Sequence, residues 1–186
     1  MTDLLKQSAE AYKRLSVYRY TFTLGRRGKT YTLILEFPEA SFWHLSGLHR
    51  TRTEAVKVKK NALQAVLNGE VTVSPTENPD IISRWQGICD LQMLLESNNA
   101  VFKYRGHEFY GSYIRAEYLI SDQQTMFFID GDSPVSIFSP TPDQLVQMRN
   151  CPKLTTLKIE RETIASGEKQ TLYVSPSYKE NSETTA

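Results

Sequence analysis

The first 37 residues change from a helical to an alternating pattern of apolar positions. Residues 3–15 repeat apolar side chains at helical spacing. Residues 17–24 and 30–37 are instead rich in β-branched and aromatic residues, which favour strands. Between these two runs, Gly25-Arg-Arg-Gly28 supplies glycines where a tight turn needs them. The pattern predicts an N-terminal helix followed by a β-hairpin.

The next 60 residues return to helical spacing. Pro38 and Gly47 flank a short predicted helix over residues 39–45. Thr53 and Glu54 begin a second helix, which Gly69 ends, and Asn78-Pro79-Asp80 caps a third that runs to about Ser97. This part of the chain is therefore predicted to be a helical segment.

Strand-like runs dominate the remainder, separated by polar and glycine-containing turns. The predicted strands cover residues 101–105, 113–121, 125–130, 134–138, 153–163 and 170–174. Residues 140–152 can hold a short helical turn around Leu145. The fold class is α+β: an N-terminal helix and β-hairpin, a helical segment, and then a mainly antiparallel twisted sheet. Residues 1–175 are expected to form a single domain, and the polar residues 176–186 a disordered tail.

Composition places the chain among ordinary globular proteins and narrows its compartment. Of its 186 residues, 40% are hydrophobic and 23% are charged, and no apolar run has the length of a membrane span. The first residues lack the basic start and apolar centre of a signal peptide. The 2 cysteines are too few for a disulfide scaffold or a zinc site. These features predict a cytoplasmic protein with no membrane association.

The net charge of +1 conceals an uneven distribution. Residues 1–60 carry 12 Lys and Arg against 5 Asp and Glu, or +7, whereas residues 61–186 carry 10 against 16, or −6. A basic first third could attract nucleic acid. It could equally be a solvated surface that the later acidic part balances in space.

Two of the three histidines lie with two arginines in one segment, residues 42–52. A buried imidazole or guanidinium needs a polar partner, so an apolar core gains nothing from this mixture. A phosphate site requires it, because cations hold the anion and an imidazole moves protons near neutral pH. His44 is a candidate proton-transfer residue, or a satisfied histidine at the edge of the core. His49, Arg50 and Arg52 are candidate phosphate ligands, or residues of a solvated loop.

Several other polar residues could contribute to a site. Lys60 belongs to a lysine run whose helical spacing allows only one or two of its members to reach a common ligand. Arg105 and His107 lie among tyrosines such as Tyr118 that can stack on bases, although sheet packing also explains those tyrosines. Ser136 interrupts an apolar strand, where its hydroxyl needs a partner or faces a ligand.

Sequence motifs exclude several kinds of chemistry. The chain has no Walker A loop, no G-x-G-x-x-G segment and no G-x-S-x-G elbow. Its histidines and acidic residues do not have the spacing of a metal site. Phosphate chemistry is therefore expected to proceed with no cofactor.

Four segments resemble a family associated with phages and mobile elements, which is named for its relation to barnase, EndoU, colicin and RelE nucleases. Residues 42–48, Phe-Trp-His-Leu-Ser-Gly-Leu, resemble that family's F-x-H-L-T/S-G segment. Residues 114–120, then 127–138, then 154–159 resemble its later strands in the same order. The resemblance covers residues 17–162. In contrast, residues 144–150 depart from the family's aromatic-plus-lysine segment before the closing strand.

The resemblance implies an RNase-like fold, in which helices precede an antiparallel sheet whose concave face holds the substrate. It also implies metal-independent cleavage of RNA, in which a base takes the 2′-hydroxyl proton and an acid protonates the leaving 5′-oxygen. The catalytic candidates are then His44, Lys60, Tyr118, Ser136 and Thr156. The substrate-binding candidates are His49, Arg50, Arg52, Arg105, His107 and Arg115.

Three functional hypotheses follow. The first is a metal-independent endoribonuclease, a toxin-like or phage-encoded effector with RNA as its substrate and an antitoxin, immunity or host protein as its partner. The second is a non-catalytic RNA- or protein-binding module of the same fold. The third is a phage-encoded inhibitor of host defence that acts through surface contacts.

Overall fold

The computed structural model describes residues 3–51, 59–71, 73, 79–106 and 112–178. Its helices are α1 (Leu4–Leu15), α2 (Phe42–Leu45), α3 (Ala62–Leu67), α4 (Pro79–Glu96) and α5 (Pro142–Arg149). Short 3-10 turns cover Glu39–Ser41, Leu48–Arg50 and Lys59–Asn61. The strands are β1 (Tyr18–Arg26), β2 (Lys29–Leu35), β3 (Ala100–Lys103), β4 (Tyr118–Ser121), β5 (Met126–Asp130), β6 (Ser133–Phe138), β7 (Lys153–Thr163) and β8 (Lys169–Val174).

The predicted N-terminal helix and hairpin are both confirmed. Asp3 caps α1, because its carboxylate accepts a hydrogen bond from Leu5 N at 3.0 Å. β1 and β2 pair antiparallel up to Arg26 and Lys29, which leaves Arg27 and Gly28 as a two-residue turn. Both turn residues have positive φ, at 49° and 75°. Such a turn matches the twist of the strands that it joins.

All the strands form one curled antiparallel sheet in the order β2-β1-β7-β3-β4-β5-β6, with β8 also paired to β7. The curl brings the two ends of this order together. Glu36 N, just after β2, donates a hydrogen bond to Asp132 O in the β5–β6 turn at 2.9 Å. The α+β class predicted from the sequence is therefore confirmed.

Apolar side chains cover both faces of the second half of the sheet. The main core lies between one face and helices α1, α3 and α4, and it includes Trp85, Phe127 and Ile137. A smaller cluster on the opposite face includes Phe128 and Met148, which belongs to α5. We call these the core face and the α5 face. Because both faces are covered, β4 and the first four residues of β5 are buried without alternation.

Two predicted elements differ from the structure. The predicted strand 113–121 is wrong over its first half, because only Tyr118–Ser121 pairs with β3, which ends at Lys103. The short turn expected around Leu145 is instead the complete helix α5. Its capping box, in which Thr141 and Gln144 bond each other's backbone, stabilises the N-terminal end of this helix.

Some predictions fall outside the described residues. The helix predicted from Thr53 is seen only as the Lys59–Asn61 turn and α3, since residues 52–58 are not described. The disordered tail stays a prediction beyond residue 178, and so do the domain boundaries and the cytoplasmic location. Within the described ranges, no helix has the length and apolar character needed to cross a membrane.

Candidate functional site

A corner between α2 and α4 positions the predicted histidines. Gly47 ends α2 in the left-handed conformation, with φ of 75°. Helix α4 then supplies donors to carbonyls that the end of α2 leaves unpaired. Trp85 Nε1 donates to Ser46 O at 3.0 Å, and Arg84 Nη1 donates to Leu45 O at 3.4 Å. The corner fixes the turn Leu48–Arg50 directly after the segment that carries His44.

His44 and His49 form a pair of neighbouring imidazoles. Their ring centroids are 4.9 Å apart with the ring planes tilted by 50°, and both residues are exposed. His49 Nδ1 lies 3.5 Å from Trp43 O. Since a carbonyl oxygen only accepts, this contact favours a proton on Nδ1 and leaves the lone pair of Nε2 available. The pair therefore presents one ring whose Nε2 is able to accept a proton, with a second imidazole beside it.

The surroundings of His49 favour its neutral form. Desolvation by burial lowers its pKa below the ordinary value of 6.5. The positive charges of His44, Arg50 and Arg84 lower the pKa further, while the Trp43 carbonyl opposes them. An imidazole with a lowered pKa is mostly neutral at neutral pH, and the neutral form is the one that can act as a general base.

Arg84 of α4 adds a second guanidinium, whose pKa is lowered by burial and by the charge of Arg50. Only 5% of Arg84 is exposed. Burial and the charge of Arg50 lower its pKa to about 10, against the opposing effect of Asp80, so it stays charged at neutral pH. No described carboxylate forms a salt bridge with Arg84 or Arg50. We call His44, His49, Arg50 and Arg84 the cationic cluster.

The cationic cluster adjoins the α5 face of the sheet through Phe138 at the end of β6. The Arg84 guanidinium carbon lies 5.9 Å from the centre of the Phe138 ring. That ring stacks on Phe128 with centroids 5.4 Å apart. Phe138 also pairs with Met126 of β5, whose side chain belongs to the same apolar cluster. The cationic cluster is thus next to the half-buried side chain of Phe138 on the sheet.

The three sheet residues predicted to be catalytic do not share one face. Ser136 is in register with Phe128, which places it on the α5 face, two residues before Phe138. Tyr118 and Thr156 are in register with Ile129 and Leu24, which belong to the main core. One cavity on one face therefore cannot take all three side chains.

Burial separates Tyr118 and Thr156 further from the cationic cluster. Tyr118 is 5% exposed, and Lys103 Nζ lies 4.3 Å from the centre of its ring. Thr156, 6% exposed, lines a separate cleft of about 290 Å³ near Asn98 and Asn99. Those asparagines follow the last residue of α4, while Arg84 is in its second turn, so α4 separates the cleft from the cluster.

The remaining predicted residues lie around these features. Lys60 is exposed on the Lys59–Asn61 turn, which contacts the Glu39–Ser41 turn just before α2. Arg105 is exposed after β3, and Arg115 is exposed before β4. Arg52 and His107 lie outside the described residues. The structure thus brings His44, His49 and Arg50 together, and it adds Arg84.

Sequence reasoning missed Arg84, although the sequence carries a signal for it. Arg84 follows Ile81 by three residues and precedes Ile88 by four, so it lies in the apolar stripe of α4. A charged residue inside an apolar stripe requires a partner or a ligand. Ile81, Trp85 and Ile88 define that apolar stripe, and Arg84 interrupts it.

The donor set suits an oxyanion. Guanidinium groups bind tetrahedral oxyanions through paired N–H donors, and two adjacent imidazoles can transfer protons at the bound group. Among the described residues, no group of three or more His, Cys, Asp or Glu side chains could hold a metal ion.

Comparison with models of protein families gives a match over nearly the whole chain. Residues 4–186 match the family described as phage-Barnase-EndoU-ColicinE5/D-RelE like nuclease4. The helix, hairpin, helical segment and curled antiparallel sheet are consistent with that nuclease fold. No curated protein and no solved structure matches the chain.

Proposed function

Because the chain belongs to the phage-Barnase-EndoU-ColicinE5/D-RelE like nuclease4 family, we propose that it is an endoribonuclease that cleaves RNA without a metal ion. The family supports a nuclease, and the cationic cluster supports this particular chemistry. The observation that carries the proposal is the pair of imidazoles 4.9 Å apart, which Arg50 directly follows in the chain. The charges of Arg50 and Arg84 both act on His49. Such a pair of imidazoles can supply the base and the acid that transesterification of RNA needs.

The proposed reaction assigns one imidazole to each proton transfer. Neutral His49 takes the 2′-hydroxyl proton on Nε2 while the 2′-oxygen forms a bond to the adjacent phosphorus. The bond from phosphorus to the 5′-oxygen breaks, and protonated His44 donates a proton to that leaving oxygen. The products are a 2′,3′-cyclic phosphate and a 5′-hydroxyl end. His49 takes the base role because its surroundings lower its pKa.

The guanidinium groups stabilise the negative charge that develops on the phosphate in the transition state. Two negative charges accumulate on the phosphorane oxygens in the transition state, and fixed cations at that position lower the barrier. Arg50 follows His49 directly, and its charge acts on both His49 and Arg84. Lys60 and Ser136 remain candidates for contacts with more distant parts of the strand, as do Arg105 and Arg115.

The experiment that tests the proposal is cleavage of a mixed RNA pool in the presence of EDTA. Wild-type protein is expected to produce 2′,3′-cyclic phosphate and 5′-hydroxyl ends. His44→Ala is expected to lose about 10²–10⁴-fold in rate, the usual contribution of a positioned acid or base. Arg149→Ala is a matched control, because Arg149 is an exposed residue at the end of α5. Equal cleavage by wild type and His44→Ala would remove His44 from the mechanism.

A wild-type protein that binds RNA but never cleaves it would contradict the nuclease proposal. Binding that weakens steeply with salt, without turnover, would instead identify a non-catalytic RNA-binding module. Recovery of a specific host protein, with no RNA binding, would identify an inhibitor that acts through surface contacts.

The proposal extends to biological role. We place the protein as a toxin-like effector of a phage or mobile element, active in the cytoplasm and restrained by an antitoxin, immunity or host protein. The family's association with phages supports this role. Induced expression of wild type is expected to arrest growth and degrade cellular RNA, whereas His44→Ala is expected to do neither. Growth arrest by both proteins would contradict it.

A further inference from the structure

We propose that Arg84 is a buried receptor for a tetrahedral oxyanion, the phosphate group of RNA, at the corner between α2 and α4. The inference deepens the proposed function and rests on it for the source of the phosphate. Binding of the anion itself does not depend on cleavage.

Most of the hydrogen-bonding capacity of Arg84 is unused. A guanidinium carries five N–H donors. The hydrogen bond of Arg84 is the 3.4 Å contact from Nη1 to Leu45 O, which is long for an N–H to oxygen bond. Nε and Nη2 have no hydrogen-bond partner among the described residues. The donors that form one edge of the guanidinium are therefore available to a ligand.

Those donors are not sealed inside the protein. Among the described residues, the fully buried side-chain polar atom that lacks a partner is Trp43 Nε1. Nε and Nη2 of Arg84 also lack a partner, but they are not fully buried. They therefore keep some contact with solvent, although 95% of the residue is buried. A small anion can reach them, and it would meet a guanidinium held in place by packing.

The charge balance also requires a ligand. A buried charge without a paired carboxylate lowers the stability of the folded state. The nearest described acidic influence on Arg84 is that of Asp80, and the two residues do not form a salt bridge. Arg50 makes the imbalance larger, because its positive charge acts on the same group. A bound phosphate would neutralise both cations.

The backbone beside Arg84 is shaped to admit its side chain. A Cβ atom built on Gly47 would lie 3.0 Å from Arg84 Cδ, closer than ordinary contacts allow. Gly47 therefore leaves room for the arginine stem to cross the end of α2. On the other side, the Phe138 ring faces the guanidinium at 5.9 Å. Arg84 also acts on His49, because its positive charge contributes to the lowered pKa of that imidazole.

The test is thermal unfolding with inorganic phosphate, compared with chloride at matched ionic strength. Phosphate is expected to raise the Tm of wild type as its concentration increases, because it binds the folded state. Arg84→Met keeps the stem and removes the charge. We expect its Tm without phosphate to exceed that of wild type by about 2–4 °C, and its phosphate affinity to fall at least tenfold.

Two further variants make the result decisive. Arg84→Lys keeps the charge but lacks the two-pronged donor edge, so it is expected to bind phosphate more weakly than wild type and more tightly than Arg84→Met. Arg149→Met removes another arginine and is expected to match wild type in phosphate affinity. If Arg84→Met fails to fold, Arg84→Lys with undiminished phosphate affinity would overturn the inference.

The inference is also overturned if Arg84→Met has a lower Tm than wild type and keeps the full phosphate response. That result would leave Arg84 with its structural role at the end of α2 alone. Phosphate binding lost in Arg84→Met, together with a wild type that cleaves no RNA, would uphold the receptor and reject the proposed nuclease. RNA cleavage that depends on His44, with phosphate binding that does not depend on Arg84, would uphold the proposed nuclease and reject the receptor.

Discussion

Two residues of the same type, His44 and His49, meet different surroundings only five positions apart. Both rings are exposed, but the Trp43 carbonyl faces His49, and burial together with three positive charges lowers the pKa of that imidazole. In the proposed reaction, this difference gives the base role to His49, because the ring that stays neutral is available to take a proton. The assignment depends on environment rather than on residue type.

The first prediction concerns the pH dependence of RNA cleavage. His49 acts in its neutral form, so kcat/KM falls as the pH drops below the pKa of His49. Because that pKa is lowered, the acidic limb should lie below pH 6.5, the ordinary value for an imidazole. Arg50→Ala removes a charge that lowers the pKa, so the limb should move upward. A pH–rate profile measured in EDTA checks both, and an acidic limb above pH 6.5 in wild type would contradict the assignment.

The second prediction concerns Glu96, at the end of α4. Its Oε1 accepts hydrogen bonds from Tyr20 at 2.9 Å and from Arg161 at 2.6 Å. Glu96→Gln removes the charge that pairs with Arg161 and sets amide donors against it. We expect the free energy of unfolding to fall by about 1–3 kcal/mol. Denaturant titration measures this change, and Glu10→Gln, the same substitution at an exposed residue of α1, is the control.

At this scale the sequence predicted part of the candidate site. The mixture of imidazole and guanidinium groups in residues 42–52 pointed to His44, His49 and Arg50, and these three do lie together. Arg84 is 34 residues beyond Arg50, and only the packing of α4 against the end of α2 brings it there. Local spacing contains no information about such a contact.

At the scale of elements, the site depends on how α2 ends. Gly47 has a positive φ and comes within contact distance of Arg84, so it both stops the helix and admits the arginine. Trp85 and Arg84 then complete the hydrogen bonding of the last carbonyls. A four-residue helix has little stability of its own. Its geometry is therefore set by α4.

The third prediction separates these two roles of Gly47. Gly47→Ala introduces left-handed strain of about 1–2 kcal/mol and also a contact with Arg84. Gly69→Ala is a matched control, since Gly69 has φ of 74°, follows α3 and has no atom within 4 Å of the added Cβ. Denaturant unfolding should show a loss in both variants and a larger loss for Gly47→Ala. Only Gly47→Ala should weaken phosphate binding. Equal losses of stability and of phosphate affinity in Gly47→Ala and Gly69→Ala would contradict the role given to Gly47.

The elements were predicted from the sequence where the local pattern matched the tertiary pairing. The hairpin and α4 carry their own turn and cap signals, and both were predicted correctly. The strand predicted over residues 113–121 was too long, because β3 provides pairing partners only as far as Lys103. Tyrosine and isoleucine favour strands, but strand length is fixed by the neighbouring strand.

At the scale of the whole molecule, the net charge of +1 gives no general attraction for RNA. Attraction must therefore come from local groups. Several basic residues outside the site are already paired with carboxylates, among them Lys13 with Glu39 and Arg19 with Glu36. The cationic cluster has no such pairing among the described residues, which concentrates the available positive charge at one place.

The fourth prediction follows from this concentration. RNA affinity should fall with salt, and Arg50→Ala should reduce the slope of log K against log salt by about 0.7, the value for one contact with single-stranded phosphate. Arg149→Ala should leave the slope unchanged. Filter binding of a non-cleavable RNA between 50 and 200 mM salt, the range over which such slopes are resolved, makes the measurement. An equal reduction of the slope in both variants would contradict this prediction, because it would indicate that RNA is attracted by basic residues over the whole surface.

The hydrogen bond from Glu36 N to Asp132 O has a consequence for the newly made chain. It joins segments almost 100 positions apart, and β6, against which α2 rests, comes directly after it. A growing polypeptide cannot make this closure until synthesis has passed residue 132, and β6 is complete only at residue 138. The histidines are therefore synthesised early, but the strand that α2 contacts is synthesised about 90 positions later. A nuclease built in this way could complete its site only after most of its chain had been made.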